Sequence, residues 1–208
     1  MSEYHKIYSP FKRDEKTKKL VSGDWSRPEF EYLQNNSWEW TEKVDGTNIR
    51  VIWDGESVKL GGRTDKAQFY IPLLERLQSK FYSGALAQIF DGPAVIYAEG
   101  YGAKIQKVGG NYKPDGVDVI VFDVRVGTTW LKRSDVEEIA SKLAVSAVPV
   151  VGSGSLWDAI EEVKKSPYSL IAENRLTVSE GVVCRPSVEI LDRMGRRIIT
   201  KIKVRDFA

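Results

Sequence analysis

The chain has 208 residues, 42% of them apolar and 29% charged, with a net charge of +2. This is the balance of an ordinary globular chain with one sizeable core; it carries no overall basic bias toward nucleic acid and leaves only a local basic face open. A single cysteine, Cys184, excludes an intrachain disulfide and a thiolate zinc cluster, and a single histidine, His5, excludes a histidine-based metal site or catalytic dyad.

Residues 1–20 hold six Lys/Arg against three Asp/Glu and read as an exposed basic arm, with Tyr8 and Phe11 able to tuck onto the body. No apolar run approaches the ~20 residues of a membrane span, and the polar N-terminus lacks the apolar core of a signal peptide. A cytoplasmic setting without a membrane partner is expected. From "SWEWTEKV" onward the pattern has period two, with Trp38, Trp40 and Glu42 on one face and Glu39, Thr41 and Lys43 on the other. "NIRVIWD" continues it, placing Ile49, Val51 and Trp53 opposite Arg50 and Ile52, and Asp54-Gly55 marks a hairpin into "SVKLGGRT".

The stretch from Ile71 to Phe90 has Leu73, Leu74, Leu77, Phe81 and Ile89 at helical spacing, with Pro72 in the first turn. "AVIYAEG" and "VDVIVFDVRV" are dense in β-branched residues and read as strands. "SDVEEIASKLA" opens with Ser134 and Glu137 in capping-box spacing, which predicts a helix, and "SLWDAIEEVKK" predicts another. "EGVVCRP" and "RIITKIKV" are strands again, with a turn near Met194-Gly195. No repeat, low-complexity tract or linker divides the chain, so one mostly antiparallel α+β domain over residues 1–208 is expected.

"WTEKVDGTNIRV", residues 40–51, places Lys43, Asp45, Gly46, Asn48 and Arg50 within eight positions at a strand end. Alone it fits a surface lysine before a turn. With the segments that follow, it resembles motif I of the covalent nucleotidyltransferase superfamily of polynucleotide ligases and mRNA capping enzymes. "YAEGYGAKIQKVGGNY" (97–112) is similar to the motif III region of RNA ligases, "VIVFDVRV" (119–126) to motif IIIa, "SEGVVCRP" (179–186) to motif IV and "ITKIKV" (199–204) to motif V. "LGGRTD" (60–65) is a looser match to motif Ia. DNA ligases usually carry arginine where Asn48 stands, and "KVDGTN" with "GAKIQK" resembles the RNA ligase 2 type, although that type often has another residue in place of Asp45.

The resemblance implies an α+β nucleotidyltransferase (ligase adenylation) domain of mainly antiparallel sheets flanked by helices, similar to ATP-grasp folds. It implies an ATP-dependent RNA ligase in which Lys43 attacks the α-phosphate of ATP and carries AMP covalently. Lys201 and Lys203, two apart on a strand, share a face. If that face lines the pocket, they ease release of the Lys43 proton and cradle the phosphate; otherwise they are protective lysines on an edge. Glu99 would bond the ribose and Phe122 would stack on adenine or pack in the core. Glu180, together with Glu99, would hold Mg2+ or Mn2+. Glu42, Asp45, Asn48, Arg50 and Arg63 complete the expected nucleotide-binding set; Asp45 could instead only shape its turn, and Asn48 and Arg63 could touch phosphate or the incoming strand.

Only five residues follow Lys203, which leaves no room for the oligonucleotide-binding barrel or helical domain that ligases commonly append there. The expectation is a catalytic domain alone, using ATP rather than NAD, joining RNA or RNA/DNA ends and nicks. The basic arm and surface lysines such as Lys66, Lys104, Lys107 and Lys113 would supply nucleic-acid contacts. A minimal DNA nick ligase, a catalytically idle nucleotide- or RNA-binding module and, more distantly, a capping guanylyltransferase are the alternatives.

Overall fold

The structure is a computed structural model that describes residues 3–207. In chain order its strands are β1 (Phe11–Arg13), β2 (Leu20–Trp25), β3 (Trp38–Lys43), β4 (Thr47–Trp53), β5 (Val58–Gly61), β6 (Ala94–Gly102), β7 (Val117–Val126), β8 (Thr129–Trp130), β9 (Ser146–Ala147), β10 (Val150–Gly154), β11 (Gly181–Pro186) and β12 (Thr200–Lys203). The helices are α1 (Pro28–Leu33), α2 (Ile71–Lys80), α3 (Ser83–Ala87), α4 (Gly109–Tyr112), α5 (Arg133–Lys142) and α6 (Leu156–Lys164). The architecture is mixed α/β with mainly antiparallel sheets; the β7–β9 pair is parallel. No described helix is long and apolar enough to cross a membrane.

The described residues group into two compact units. The first contains residues 3–4, 45–148 and 172–174. Its sheet runs β5-β4-β6-β7-β8, with β9 beside β7. The period-two reading of β4 holds, since Ile49, Val51 and Trp53 are buried in one core with Leu73 and Leu77 of α2 and Val136 and Ile139 of α5. At the β4–β5 turn the Asp54 carboxylate accepts the backbone N–H groups of Glu56 and Ser57 at 2.9 and 2.7 Å, as an Asp-Gly hairpin does.

Two helix readings need correction. The continuous helix expected from Ile71 breaks after Lys80, where Phe81 leaves helical geometry (φ −113°, ψ 76°) with its side chain buried in the core. Tyr82 follows in extended geometry (φ −113°, ψ 159°), and a second short helix, α3, starts at Ser83. Helix α5 begins at Arg133, one residue before the expected cap; its first turn has no side-chain cap, and Ser134 Oγ donates to Asp135 instead. The capping box belongs to α6, where Ser155 and Asp158 exchange bonds at 3.1 and 2.8 Å.

The second unit contains residues 5–44, 149–171 and 175–207. Its antiparallel sheet runs β10-β3-β11-β12, and its core gathers Trp38, Trp40, Val182, Cys184 and Ile202 with Leu156, Ile160 and Val163 of α6. Cys184 is fully buried, and burial pushes its thiol far above the ordinary range. The basic arm is not a free arm. Residues 1 and 2 lie outside the described residues, but β1 and β2 form a hairpin. Its Phe11 ring lies 4.7 Å from Trp25 and 5.5 Å from Trp157, inside the core. Tyr8 stays partly exposed. Of the two aromatic residues able to tuck onto the body, Phe11 is thus buried in the core and Tyr8 is not.

Leu77 is fully buried at the centre of the first unit's core. Leu77→Ala should cost about 2–5 kcal/mol, the usual range for a buried leucine cavity, read as a lowered urea midpoint at unchanged slope.

Candidate active site

Lys43 is the last residue of β3, and the register places it opposite Gly181 of β11, which in turn faces Lys203 of β12. Directly opposed residues project from the same side of an antiparallel sheet. Lys43 and Lys203 therefore share a face, and Lys201, opposite Val183 and two residues from Lys203, shares it too. The other face carries Trp40, Val182, Cys184 and Ile202 into the core. Alternation along three strands thus turns the lysines away from the apolar interior.

Gly181 is required at the centre of this row. Its φ is +145°, and an added Cβ would collide with Ile202 O and lie 2.7 Å from Lys203 Cα. Just before it, Glu180 bridges the two lysines: Oε2 accepts from Lys43 Nζ at 2.5 Å and Oε1 from Lys203 Nζ at 2.5 Å. Burial pushes the Glu180 carboxyl up, but the Lys43 charge and the bonds from Lys203 and Lys43 outweigh it and leave the group below its ordinary value. The expected neighbours of Lys43 were positive. The group that touches it is negative.

Glu42 points the other way. It lies on the core side of β3, only 3% exposed, where its carboxylate accepts from Ser169 Oγ at 2.5 Å and from Leu170 N–H at 2.8 Å. Burial pushes this carboxyl up, and the hydrogen bonds oppose it. The structure places Glu42 as an anchor for residues 169–170. Alternation with Lys43 was the signal for this in the sequence.

The remaining expected residues stand in the first unit. The Asp45-Gly46 turn is held by the 102–112 segment: Asp45 N–H donates to Tyr112 Oη at 3.4 Å, and Gln106 Nε2 donates to Gly46 O at 2.9 Å. A Cβ on Gly46 would collide with Gly100 O and reach 2.8 Å from Glu99 Cγ, so this close approach needs glycine. Asn48 lies directly opposite Glu99 on the β4–β6 pair, both half-buried. Arg50 is 0% exposed; its Nε donates to Gly62 O at 2.6 Å and its Nη2 to Asp65 at 2.8 Å. Arg50 therefore supports the loop that carries the exposed Arg63. Phe122 is the extra residue of a β-bulge between the Tyr97–Asp123 and Ala98–Val121 pairs, its ring edge-on to Tyr4 at 5.1 Å.

The described residues contain no group of three or more His, Cys, Asp or Glu placed to hold a metal. A carboxylate such as Glu180 still suits a hard cation of the Mg2+ kind, which takes one or two carboxylates and fills its shell with phosphate oxygens and water.

A family model described as RNA ligase matches residues 36–203. Among solved structures, the chain is similar to a Naegleria gruberi RNA ligase variant with ATP and Mn, at a TM-score of 0.65 and 18% identity, covering 85% of this chain and 51% of that one. The same ligase with PPi gives 0.65 and 18%, covering 85% and 52%. A further variant with AMP and Mn gives 0.64 and 18%, again covering 85% and 52%. At this identity the likeness is one of fold, and the chain spans about half the length of the chains it matches. No curated protein matches the sequence.

Because the folded Glu180 carboxyl sits below its ordinary value, its contribution to stability is present above the unfolded glutamate range and is lost as pH falls through the folded value. Glu180→Gln should therefore be less stable than the parent by about 1–3 kcal/mol at neutral pH. Urea unfolding at stepped pH should show that gap closing below about pH 4. A constant gap from neutral to acid would remove the ion pair as its cause.

Proposed function

The chain belongs to the RNA ligase family, and from that premise we propose that it is an ATP-dependent RNA ligase whose Lys43 becomes covalently adenylylated. The observation that carries this reading is the row Lys43–Gly181–Lys203 with the Glu180 carboxylate between the two ammonium groups. An amine beside a second fixed cation on a water-facing strand end is a device for attacking a phosphate.

In the first step the Lys43 amine parts from Glu180 and gives its proton to solvent. It then attacks the α-phosphorus of ATP, forming a P–N bond as the bond to the bridging oxygen breaks and pyrophosphate leaves. Lys203 and Lys201 offset charge gathering on the phosphate oxygens. A terminal 5′-phosphate oxygen next attacks that phosphorus, breaking the P–N bond and returning the amine. Finally a 3′-hydroxyl attacks the activated 5′-phosphorus, loses its proton and displaces AMP. Glu180 would hold Mg2+ or Mn2+, and such an ion, when bound, neutralises phosphate charge in the transition state.

Within the first unit, Glu99 and Asn48 are assigned to the ribose and phosphates and Phe122 to the adenine. Asp45 and Gly46 are assigned to shaping the turn after the nucleophile. Arg63 is assigned to phosphate or the incoming strand, on a loop set by Arg50. Glu42 holds residues 169–170 rather than touching nucleotide.

Intact-mass spectrometry after incubation with ATP and Mg2+ or Mn2+ should show an added AMP, mapped by peptide analysis to Lys43. Lys43→Ala and Lys43→Arg should both lose it, since arginine keeps its proton and is a poor nucleophile. Lys43→Ala should still seal a strand supplied already adenylylated, whereas Lys203→Ala should slow adduct formation about a hundredfold. An adduct elsewhere would overturn the assignment, and no adduct in the parent protein would favour the idle binding module.

GTP should give no adduct under the same conditions; preference for GTP would favour the capping reading. Sealing should require RNA at the 3′-hydroxyl side and fall steeply with salt as phosphate contacts release counterions. Equal sealing of all-DNA nicks would move the assignment to a DNA ligase.

A further inference from the structure

Beyond β12 the second unit has a cleft that none of these steps uses. Tyr8 forms a parallel bridge with Thr200, its carbonyl accepting from Lys201 N–H at 3.0 Å and from Thr200 Oγ1 at 2.9 Å. Beside it lies a cavity of about 380 Å3 whose walls include Tyr8, Arg27, Asp192, Arg193, Met194 and Arg196.

A buried acid sets the form of this cleft. One Asp192 oxygen accepts the N–H groups of Met194 and Arg196, both at 2.9 Å, which fixes the turn. The other accepts from Arg27 Nη2 at 2.9 Å and Arg196 Nε at 2.8 Å. Arg27 also bonds Glu29 at 3.2 Å. Two arginines and two acids thus balance one another. Arg193, exposed on the same turn, has no hydrogen-bond or ion-pair partner among the described residues. Lys6 Nζ adds a second charge 4.9 Å from the Tyr8 ring centre. The surplus is positive, displayed from a braced turn beside an aromatic ring and the exposed Met194 side chain. A polyanion with flat bases complements that surface.

Position narrows the choice. Tyr8 flanks β12 at Thr200, three residues before Lys203, while Lys43 lies two strands away across Gly181. With strands about 4.8 Å apart and about 3.4 Å per residue, the cleft is on the order of 15–20 Å from Lys43. That is the length of about five stacked nucleotides.

We propose that this cleft grips the sugar–phosphate backbone of the strand being joined, about five nucleotides from the end presented to Lys43, with Arg193 as its phosphate contact. The inference rests on the ligase reading, but its test needs no covalent step. Fluorescence anisotropy with a labelled 5′-phosphorylated RNA of about twelve nucleotides should show Arg193→Glu binding about tenfold more weakly, with a log–log salt slope shallower by roughly 0.7. A labelled RNA of about three nucleotides, too short to reach the cleft, should bind parent and variant alike. AMP transfer to Lys43, measured by mass, should be unchanged in Arg193→Glu because the residue lies outside the nucleotide machinery. Equal affinity and slope on the long RNA, or equal loss on the long and short ones, would overturn the proposal. Slowed AMP transfer would give the cleft to the free nucleotide and overturn it as well. Failure of the ligase reading would show separately, as a parent protein that never gains AMP.

Discussion

Between Lys43 and Lys203 the central strand presents Gly181, and two ammonium groups can share the Glu180 carboxylate because no side chain stands in that position. The strand backbones on either side are about 10 Å apart, but the two ammonium groups converge on one carboxylate, whose negative charge offsets their mutual repulsion. Remove the vacancy and the row cannot close, since any Cβ there meets the backbone of β12. The charge pattern is thus a product of strand register before it is a product of side-chain chemistry. Trp38, Trp40, Val182 and Ile202 enforce that register from the opposite face, because a slip by one residue would expose all of them at once.

The first unit applies a similar economy around Gly46. Lys104 and Gln106 both adopt left-handed backbone (φ +65° and +56°), a conformation that non-glycine residues hold only against some resistance. The conformation brings the Gln106 amide onto the Gly46 carbonyl. Tyr112 reaches the neighbouring peptide from the short helix that follows. A strained loop therefore fixes the turn immediately after Lys43. Arg50 does the corresponding work for the 62–65 loop from beneath, using a buried guanidinium whose planar fork fits two acceptors at set angles.

Much of this was legible in the residues. Alternation placed the Trp38–Trp40 and Ile49–Val51–Trp53 faces, Asp54-Gly55 marked its hairpin, and the motifs singled out Lys43, Glu180 and Lys203, which the fold brings into contact. What escaped depends on contacts distant in sequence. The partner of Glu42 is Ser169, 127 positions away. Arg50 looks like a solvent-facing residue in an alternating strand until the 62–65 loop folds over it. The charged stretch around Phe11 conceals a hairpin because its partners, Trp25 and Trp157, come from separate segments. Helix ends are ambiguous for a local reason: "SDVE" and "SLWD" offer the same capping chemistry, and only backbone geometry chooses between them.

The sealed position of Cys184 makes the chain nearly blind to thiol reagents. Its sulfur is wholly enclosed on the core face of β11 and held protonated by its surroundings, so it offers neither access nor thiolate. With one cysteine in 208 residues, any second one introduced on the surface would be the sole reactive sulfur. A spectroscopic probe could then be attached at a chosen point without first stripping the native residue from the core, where its removal would leave a void beside Trp40 and Val182.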